Sequence, residues 1–241
     1  MSIFQSTNKK ALRKAMTTAL RELPHSDVQS QCDSRMLYAL LLTTDMLLSE
    51  AQAITEKVLS LPAFQECKTV SCYLSMPAAE VQTTSLISNI LGNLKKALFV
   101  PSITPSDGCM NFVRVYTEED YRSFPSGLWG IPDPTPEWLG KKRHSAFQVF
   151  DADCSNLDLI LVPGVAFDRS LSRLGHGKGY YDRFITSYRS SAGRSRPLLV
   201  ALALKEQLLE HGQVPMLDHD WKMDMIITPD EVITAPQGQE G

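Results

Sequence analysis

Residues 157–184, LDLILVPGVAFDRSLSRLGHGKGYYDRF, constrain the fold more than any other part of this chain. The opening run LDLILV is apolar on both faces, as strands are in parallel sheets that are covered on both sides. A loop with Gly175, Gly177 and Gly179 follows, Lys178 sits inside it, and Tyr180-Tyr181-Asp182-Arg183 opens a helix. A strand, a tight glycine loop and a helix N-terminus aim backbone N–H groups at one spot, which suits an anion. A phosphate, that of a nucleotide, is the expected ligand.

The flanking sequence supplies what such a sheet needs. Residues 6–23 carry Leu12, Met16, Ala19, Leu20 and Leu23 at helical spacing, and Pro24 ends the run. Ser26-Asp27 can cap a second helix reaching about residue 59, stopped before Pro62. Strands are expected at 70–74, 97–100, 110–116, 157–162, 198–203 and, last, 225–228. Helices are expected at 84–94, with Leu86, Ile87, Ile90, Leu91 and Leu94 inward, at 180–188, and at 205–210. Strands alternating with helices predict an α/β fold: a three-layer α/β/α sandwich, Rossmann-like, with a mostly parallel central sheet and helical N-terminal additions. One domain over residues 1–241 is expected, with the helices of 6–60 packed on it. Residues 117–156, rich in Pro, Gly and charge, read as a long surface excursion with a few aromatic anchors, and 237–241 as a frayed tail.

Composition removes several classes of function. A net charge of −3 gives no bulk reason to expect nucleic acid or an anionic membrane as partner. The apolar run at 36–48 is interrupted by Thr43, Thr44 and Asp45, too short and too polar to span a bilayer. The five cysteines, Cys32, Cys67, Cys72, Cys109 and Cys154, form no CxxC pair and read as free thiols in a reducing compartment. The cytoplasm is the expected location; the basic, acid-free start MSIFQSTNKKALRKAM would also suit mitochondrial import, which leaves room for a mitochondrial fraction.

The loop fits neither of two familiar phosphate fingerprints. Lys178 is followed by Gly179, where a Walker A lysine needs Ser or Thr, and the glycines are spaced G-x-G-x-G instead of G-x-G-x-x-G. Alone, they could simply make a turn. Arg173, His176, Lys178 and Arg183 around them favour an anion, because cations so crowded would otherwise repel. Lys9 and Arg13 leave one face of a helix, a pattern that a solvated surface explains equally well. Asp182 suits the first turn of its helix, and equally a Mg²⁺ site shared with a second carboxylate such as Asp224. Glu80 sits beyond a strand end, where ligands bind in open α/β sheets, though capping is the ordinary role. Trp129 lies in a Pro-rich loop and could pack on a ligand or pin the loop. His219-Asp220 has no serine or cysteine elbow to serve, and H-E-x-x-H is absent, so triad hydrolysis and zinc catalysis are set aside.

The stretch PGVAFDRSLSRLGHGKGYYDRF resembles the signature of the 5-formyltetrahydrofolate cyclo-ligase (5,10-methenyltetrahydrofolate synthetase) family. KKALR at 9–13, LSMP at 74–77 with Glu80, Val81 and Thr83, WGIP at 129–132, ALALKEQLLE and VPMLDHDWKMDMIITPDEVI are similar to family segments in the same order. The resemblance implies an enzyme that uses ATP and Mg²⁺ to cyclise 5-formyltetrahydrofolate, polyglutamylated forms included, to 5,10-methenyltetrahydrofolate, releasing ADP and phosphate. It implies a monomer acting on a small molecule, without nucleic acid or membrane as partner. Lys9, Lys10 and Arg13, with Arg173, Leu174, Gly175, His176, Gly177, Lys178, Gly179, Tyr180 and Tyr181, would hold the nucleotide. Arg173 and Lys178 would act on the moving phosphoryl group. Leu74, Met76, Glu80 and Trp129, with residues 176–180, would contact the folate, and Asp182 and Asp224 would hold Mg²⁺. The chain departs from the family at Ser102, where arginine is common, after Met76, where it is one residue longer, and in enlarged segments at 32–56 and 140–156.

Two rival readings remain at this level. One is an isomerase or transferase taking a sugar phosphate or CoA ester on a similar sheet, which would have no need of Lys178. The other is a non-catalytic nucleotide- or RNA-binding protein that has kept the loop.

Overall fold

The structure is a computed structural model that describes residues 8–21, 34–77, 79–104, 108–127, 130–148, 156–191 and 193–235, with the backbone alone for 21, 34–45 and 148. Strand β1 (Thr69–Ser71) is followed by helix α4 (Thr84–Leu91) and then β2 (Ala97–Ile103) and β3 (Met110–Val115). Beyond the excursion come β6 (Leu159–Val162), helix α6 (Tyr180–Ser190), β9 (Leu198–Leu202), β11 (Met225–Ile227) and β12 (Val232–Thr234). These seven strands form one sheet in the order β12-β11-β9-β6-β1-β2-β3. The five inner strands pair in parallel, and β3 and β12 close the two edges antiparallel.

Alternation along the inner strands explains the layers. Leu159, Leu161, Val200 and Leu202 face one core, together with Ile54 and Val58 of α2 (Ser34–Ser60), Phe64 of α3 (Pro62–Glu66) and Ile87 and Ile90 of α4. Ile160, Val162, Leu199 and Ala201 face the other, against Phe184, Ile185 and Tyr188 of α6. A strand apolar at every position is stable only when both faces are covered, which is why these segments lack polar alternation. The N-terminal helix α1 (Lys9–Arg21) packs elsewhere. Leu12 and Met16 bury themselves on a small sheet made of β7 (Ala166–Asp168), β8 (Arg173–Leu174) and β10 (Leu208–Leu209).

Several expected elements need correction. Helix α4 stops at Gly92, so the apolar stripe does not continue: Leu94 is fully exposed instead of inward. Residues 205–210 form a single 3-10 turn and the short strand β10, and β11 is followed by one more strand. The 157–184 unit is not a plain strand, loop and helix, because the β7–β8 hairpin stands between β6 and the glycine loop. The excursion contains α5 (Glu118–Arg122) and a hairpin of β4 (Glu137–Trp138) and β5 (Lys141–Lys142). It is pinned by a buried ion pair, Arg143 to Asp120 at 2.6 and 2.7 Å, and by the expected aromatic anchors: Tyr121 and Phe124 pack on one core and Phe147 on the other, against Phe184 and Tyr188. The cap at 26–27, Leu23, Cys32, Cys154, Trp129 and the 237–241 tail lie outside the described residues.

Candidate active site

The chain leaves β1 for β2 on one side and later returns as β6 on the other, so the sheet reverses direction between β1 and β6. In open α/β sheets the loops splay apart at such a point, beyond the carboxyl ends of the strands. A cavity of about 780 Å³ opens there. Tyr73 and Leu74 beyond β1, Pro163 beyond β6 and Pro101 in β2 form its floor, and the glycine loop with Lys9 and Arg13 of α1 forms one wall.

The loop is shaped by backbone needs. Gly177 and Gly179 have φ of 98° and 64°, in the left-handed region that side chains disfavour. A Cβ on Gly175 would stand 2.8 Å from Arg173 Nη1. Gly179 is the N-cap of α6 and offers no side chain, so the first-turn N–H groups of that helix have no intrahelical acceptor. The Arg13 Nε donates to the Gly175 carbonyl at 2.8 Å and ties α1 to the loop. The Lys178 ammonium is exposed, lines the cavity and has no bond to another side chain among the described residues.

Charge inside the cavity is less one-sided than four clustered cations suggest. Arg173 is buried and donates at 2.7 Å to Asp182, which is buried as well. Its Nε is buried and without an acceptor among the described residues, and its guanidinium lies 5.7 Å from the Tyr181 ring. Arg183 turns away to bond the Lys178 carbonyl at 2.6 Å. Lys9 pairs with Asp220. Burial pushes the Asp220 carboxyl up, but bonds from Lys9 and the Leu217 N–H outweigh it and hold the group below its ordinary range. Burial, with the nearby Glu80 and Cys72, drives the phenols of Tyr73 and Tyr181 well above their ordinary range, so both remain neutral donors.

Glu80 faces the glycine loop across the cavity. Its carboxylate is buried, accepts from the Met76 N–H at 3.2 Å and meets His176 Nε2 at 3.2 Å. The residue before it, Ala79, holds a left-handed φ of 66°. The loop after β1 and the loop before α6 therefore touch through the side chains of Glu80 and His176.

Lys9, Arg13, Leu74, Met76, Glu80, Arg173, residues 175–181 and Asp182 all line the cavity. Lys10 is exposed and does not, and Leu174 is buried behind the loop. Asp224 is misplaced in the sequence reading. It precedes β11 at the amino edge of the sheet, and its oxygens accept from Arg196 and from the Leu199 N–H. The carboxylate that reaches the cavity is Asp220. Asp182 accepts from the N–H of the next residue, Trp221, at 3.1 Å, which brings the two acids together. Tyr73 and Asp133 also line the cavity and were not singled out in the sequence, and Ile131 and Pro163 line it from within the WGIP and PGVAF segments without having been given a role. In the sequence, the acid that lines the cavity stood out only in the His219-Asp220 dipeptide, which was weighed for other chemistry.

Known proteins resemble this chain over nearly its full length. A Caenorhabditis elegans protein named as a probable 5-formyltetrahydrofolate cyclo-ligase is 34% identical, covering 93% of this chain and 94% of the relative. A Schizosaccharomyces pombe protein of the same name is 39% identical, over 77% of this chain and 86% of that one. The solved structure of Aquifex aeolicus 5,10-methenyltetrahydrofolate synthetase superposes with a TM-score of 0.66 at 25% identity, covering 96% of this chain and 95% of that one. The 5-formyltetrahydrofolate cyclo-ligase family itself matches residues 5–229, and this chain, whose cavity joins a glycine-lysine-glycine loop to a buried glutamate, belongs to that family.

Proposed function

We propose that this protein binds ATP and 5-formyltetrahydrofolate together in the cavity between β1 and β6 and converts them to 5,10-methenyltetrahydrofolate, ADP and phosphate. One observation carries the reading: the Glu80 loop and the Lys178 loop open on the same cavity and meet through the 3.2 Å Glu80–His176 contact. A reaction that joins a nucleotide to a second substrate needs both loops on one space.

The chemistry sets the demand. Amide resonance makes the N5-formyl oxygen a poor leaving group. Transfer of the γ-phosphoryl group to that oxygen releases ADP and yields an imidoyl phosphate. The N10 amine attacks its carbon, the C–O bond breaks, inorganic phosphate leaves, and the N10 proton passes to solvent. Such a transfer calls for positioning and charge neutralisation more than for covalent catalysis. The free N–H groups at the start of α6 and the left-handed glycines let backbone approach the phosphates. Lys178, exposed at the cavity wall, is the mobile cation for the γ-phosphoryl group. Arg173, braced by Asp182, is the fixed one. Glu80, buried beside Leu74 and Met76, suits the donor edge of the pterin.

A Mg²⁺ that arrives with ATP fits the residues present. The ion keeps water and phosphate oxygens and takes one or two carboxylates. Asp182 and Asp220 offer adjacent hard oxygens, and no group of three or more His, Cys, Asp or Glu side chains is preassembled among the described residues. The ion would supply charge neutralisation across the phosphates. No described helix is long and apolar enough to cross a membrane.

The test is direct. Given MgATP and 5-formyltetrahydrofolate, the purified protein generates the near-ultraviolet chromophore of the methenyl product; a folded protein that gives no absorbance rise overturns the reading. Lys178→Ala lowers turnover by about 10²-fold or more, as loss of a donor to developing charge does.

A further inference from the structure

Gln207 has no place in the chemistry above, and its side chain does not line the cavity. It is nevertheless almost fully buried, at 1% exposure, in the turn after β9. A buried amide must satisfy two donor hydrogens and an acceptor, and here each partner belongs to a different loop at the carboxyl end of the sheet. Its Nε2 donates to the Gly164 carbonyl at 2.8 Å and to the Ala79 carbonyl at 3.3 Å. Its Oε1 accepts from the Leu204 N–H at 2.9 Å.

The two carbonyls are not equivalent. Gly164 is clamped, since even a Cβ there would stand 2.6 Å from the Phe167 ring. Next to it, Pro163 lines the cavity and accepts from Arg173 Nη1 at 3.4 Å. Ala79 is held at a φ of 66°, in the left-handed region that disfavours a residue with a side chain. A peptide in that state relaxes unless something fixes it. Glu80 comes next, so the Ala79 twist sets where its backbone starts, and the Met76 N–H and His176 then meet its carboxylate at 3.2 Å each.

We propose that Gln207 is a positioning residue for the reaction: its amide locks the Ala79 twist and thereby aims the Glu80 carboxylate into the cavity, in register with the Pro163–Gly164 turn. The inference rests on Glu80 contacting the folate, as proposed above. It predicts an asymmetry. With the amide removed, the clamped Gly164 side keeps its place while the twisted Ala79 side relaxes, so folate recognition suffers and nucleotide recognition does not.

The experiment uses Gln207→Met, which keeps length and volume but neither donates nor accepts a hydrogen bond. The KM for 5-formyltetrahydrofolate rises on the order of 10-fold, and the KM for MgATP stays within about twofold. In a Glu80→Gln background the same substitution adds less than about twofold, because no carboxylate remains to be aimed. Should Gln207→Met fail to fold, Gln207→Glu carries the same test, since it retains volume and the bond from Leu204 while placing an oxygen against both carbonyls. Equal changes in the two KM values, a lower thermal midpoint with neither KM altered, or a full additive loss in the Glu80→Gln background each overturn the inference. If the unsubstituted protein forms no methenyl product, the functional reading falls instead.

Discussion

Asp182, Asp220 and Asp224 are the same functional group in three different electrostatic situations. Asp182 is buried against Arg173 and bonded by the Trp221 N–H. Asp220 shares the cavity and is matched by Lys9, and Asp224 stands at the far edge of the sheet with Arg196. Only the first two line the cavity in which the nucleotide and its Mg²⁺ are proposed to bind. Asp220→Asn is therefore expected to raise the Mg²⁺ concentration needed for half-maximal activity by about tenfold or more. Asp224→Asn leaves that concentration within about twofold and lowers the thermal midpoint, because the ion pair with Arg196 is lost and one oxygen remains to accept from both Arg196 and the Leu199 N–H. A magnesium titration of both variants separates the acids; equal Mg²⁺ responses would remove Asp220 from the site. The distinction was not legible in the sequence. HDWKMD contains two carboxylates four positions apart, and which one faces the cavity depends on where β11 begins. The glycine loop was legible, because left-handed backbone and close approach leave a residue-type trace that carboxylate chemistry does not.

The β4–β5 hairpin shows the same contrast at the level of an element. Its two-residue turn, Leu139-Gly140, has φ of 50° and 72°, the pattern of a type I′ turn, which favours Asn-Gly. Leu139 is 81% exposed, so its side chain gains little from burial while its backbone is disfavoured. Leu139→Asn is expected to stabilise the protein by up to about 1 kcal/mol, roughly 2–4 °C in the unfolding midpoint. Leu139→Val moves the midpoint the other way, since a β-branched residue fits that region worse. Thermal unfolding of both decides the matter, and a falling midpoint for the Asn variant would contradict the turn assignment. A hairpin hidden behind Leu139 was not readable, and strands of two or three residues such as β7, β8 and β10 leave no periodicity at all. The inner strands were legible because burial on both faces forces a continuous apolar run. The inward placement of Leu94 failed for a complementary reason: periodicity extrapolates a helix past its end, and α4 closes at Leu91 with Gly92 as its C-cap, before Leu94 is reached.

Across the whole molecule, the long helix α2 is joined to the sheet by an apolar face carrying one buried acid, Glu50. Burial raises its affinity for a proton, and the neighbouring Glu206 adds to this; the Lys205 N–H, the Lys205 ammonium and, in the other direction, Asp230 adjust the balance without reversing it. One of its oxygens, Oε2, has no partner among the described residues. A carboxyl whose folded value lies above its unfolded value binds more protons when folded. Its contribution to stability is fully present below the ordinary carboxylate range and is lost as pH rises through the folded value. Ionising Glu50 in the folded protein therefore places a charge where its surroundings disfavour it, at the contact between α2 and the 205–207 turn. That turn ends in Gln207, so strain there sits close to the residue proposed to aim Glu80. Glu50→Gln removes the charge and keeps the shape. Its unfolding midpoint is expected to exceed that of the unsubstituted protein at about pH 8 and to converge with it as the pH falls below the ordinary carboxylate range, where the carboxyl is protonated in both states. Midpoints measured across that range test the sign as well as the size, and a difference that grows toward acid pH would show that Glu50 stabilises the fold in its ionised form.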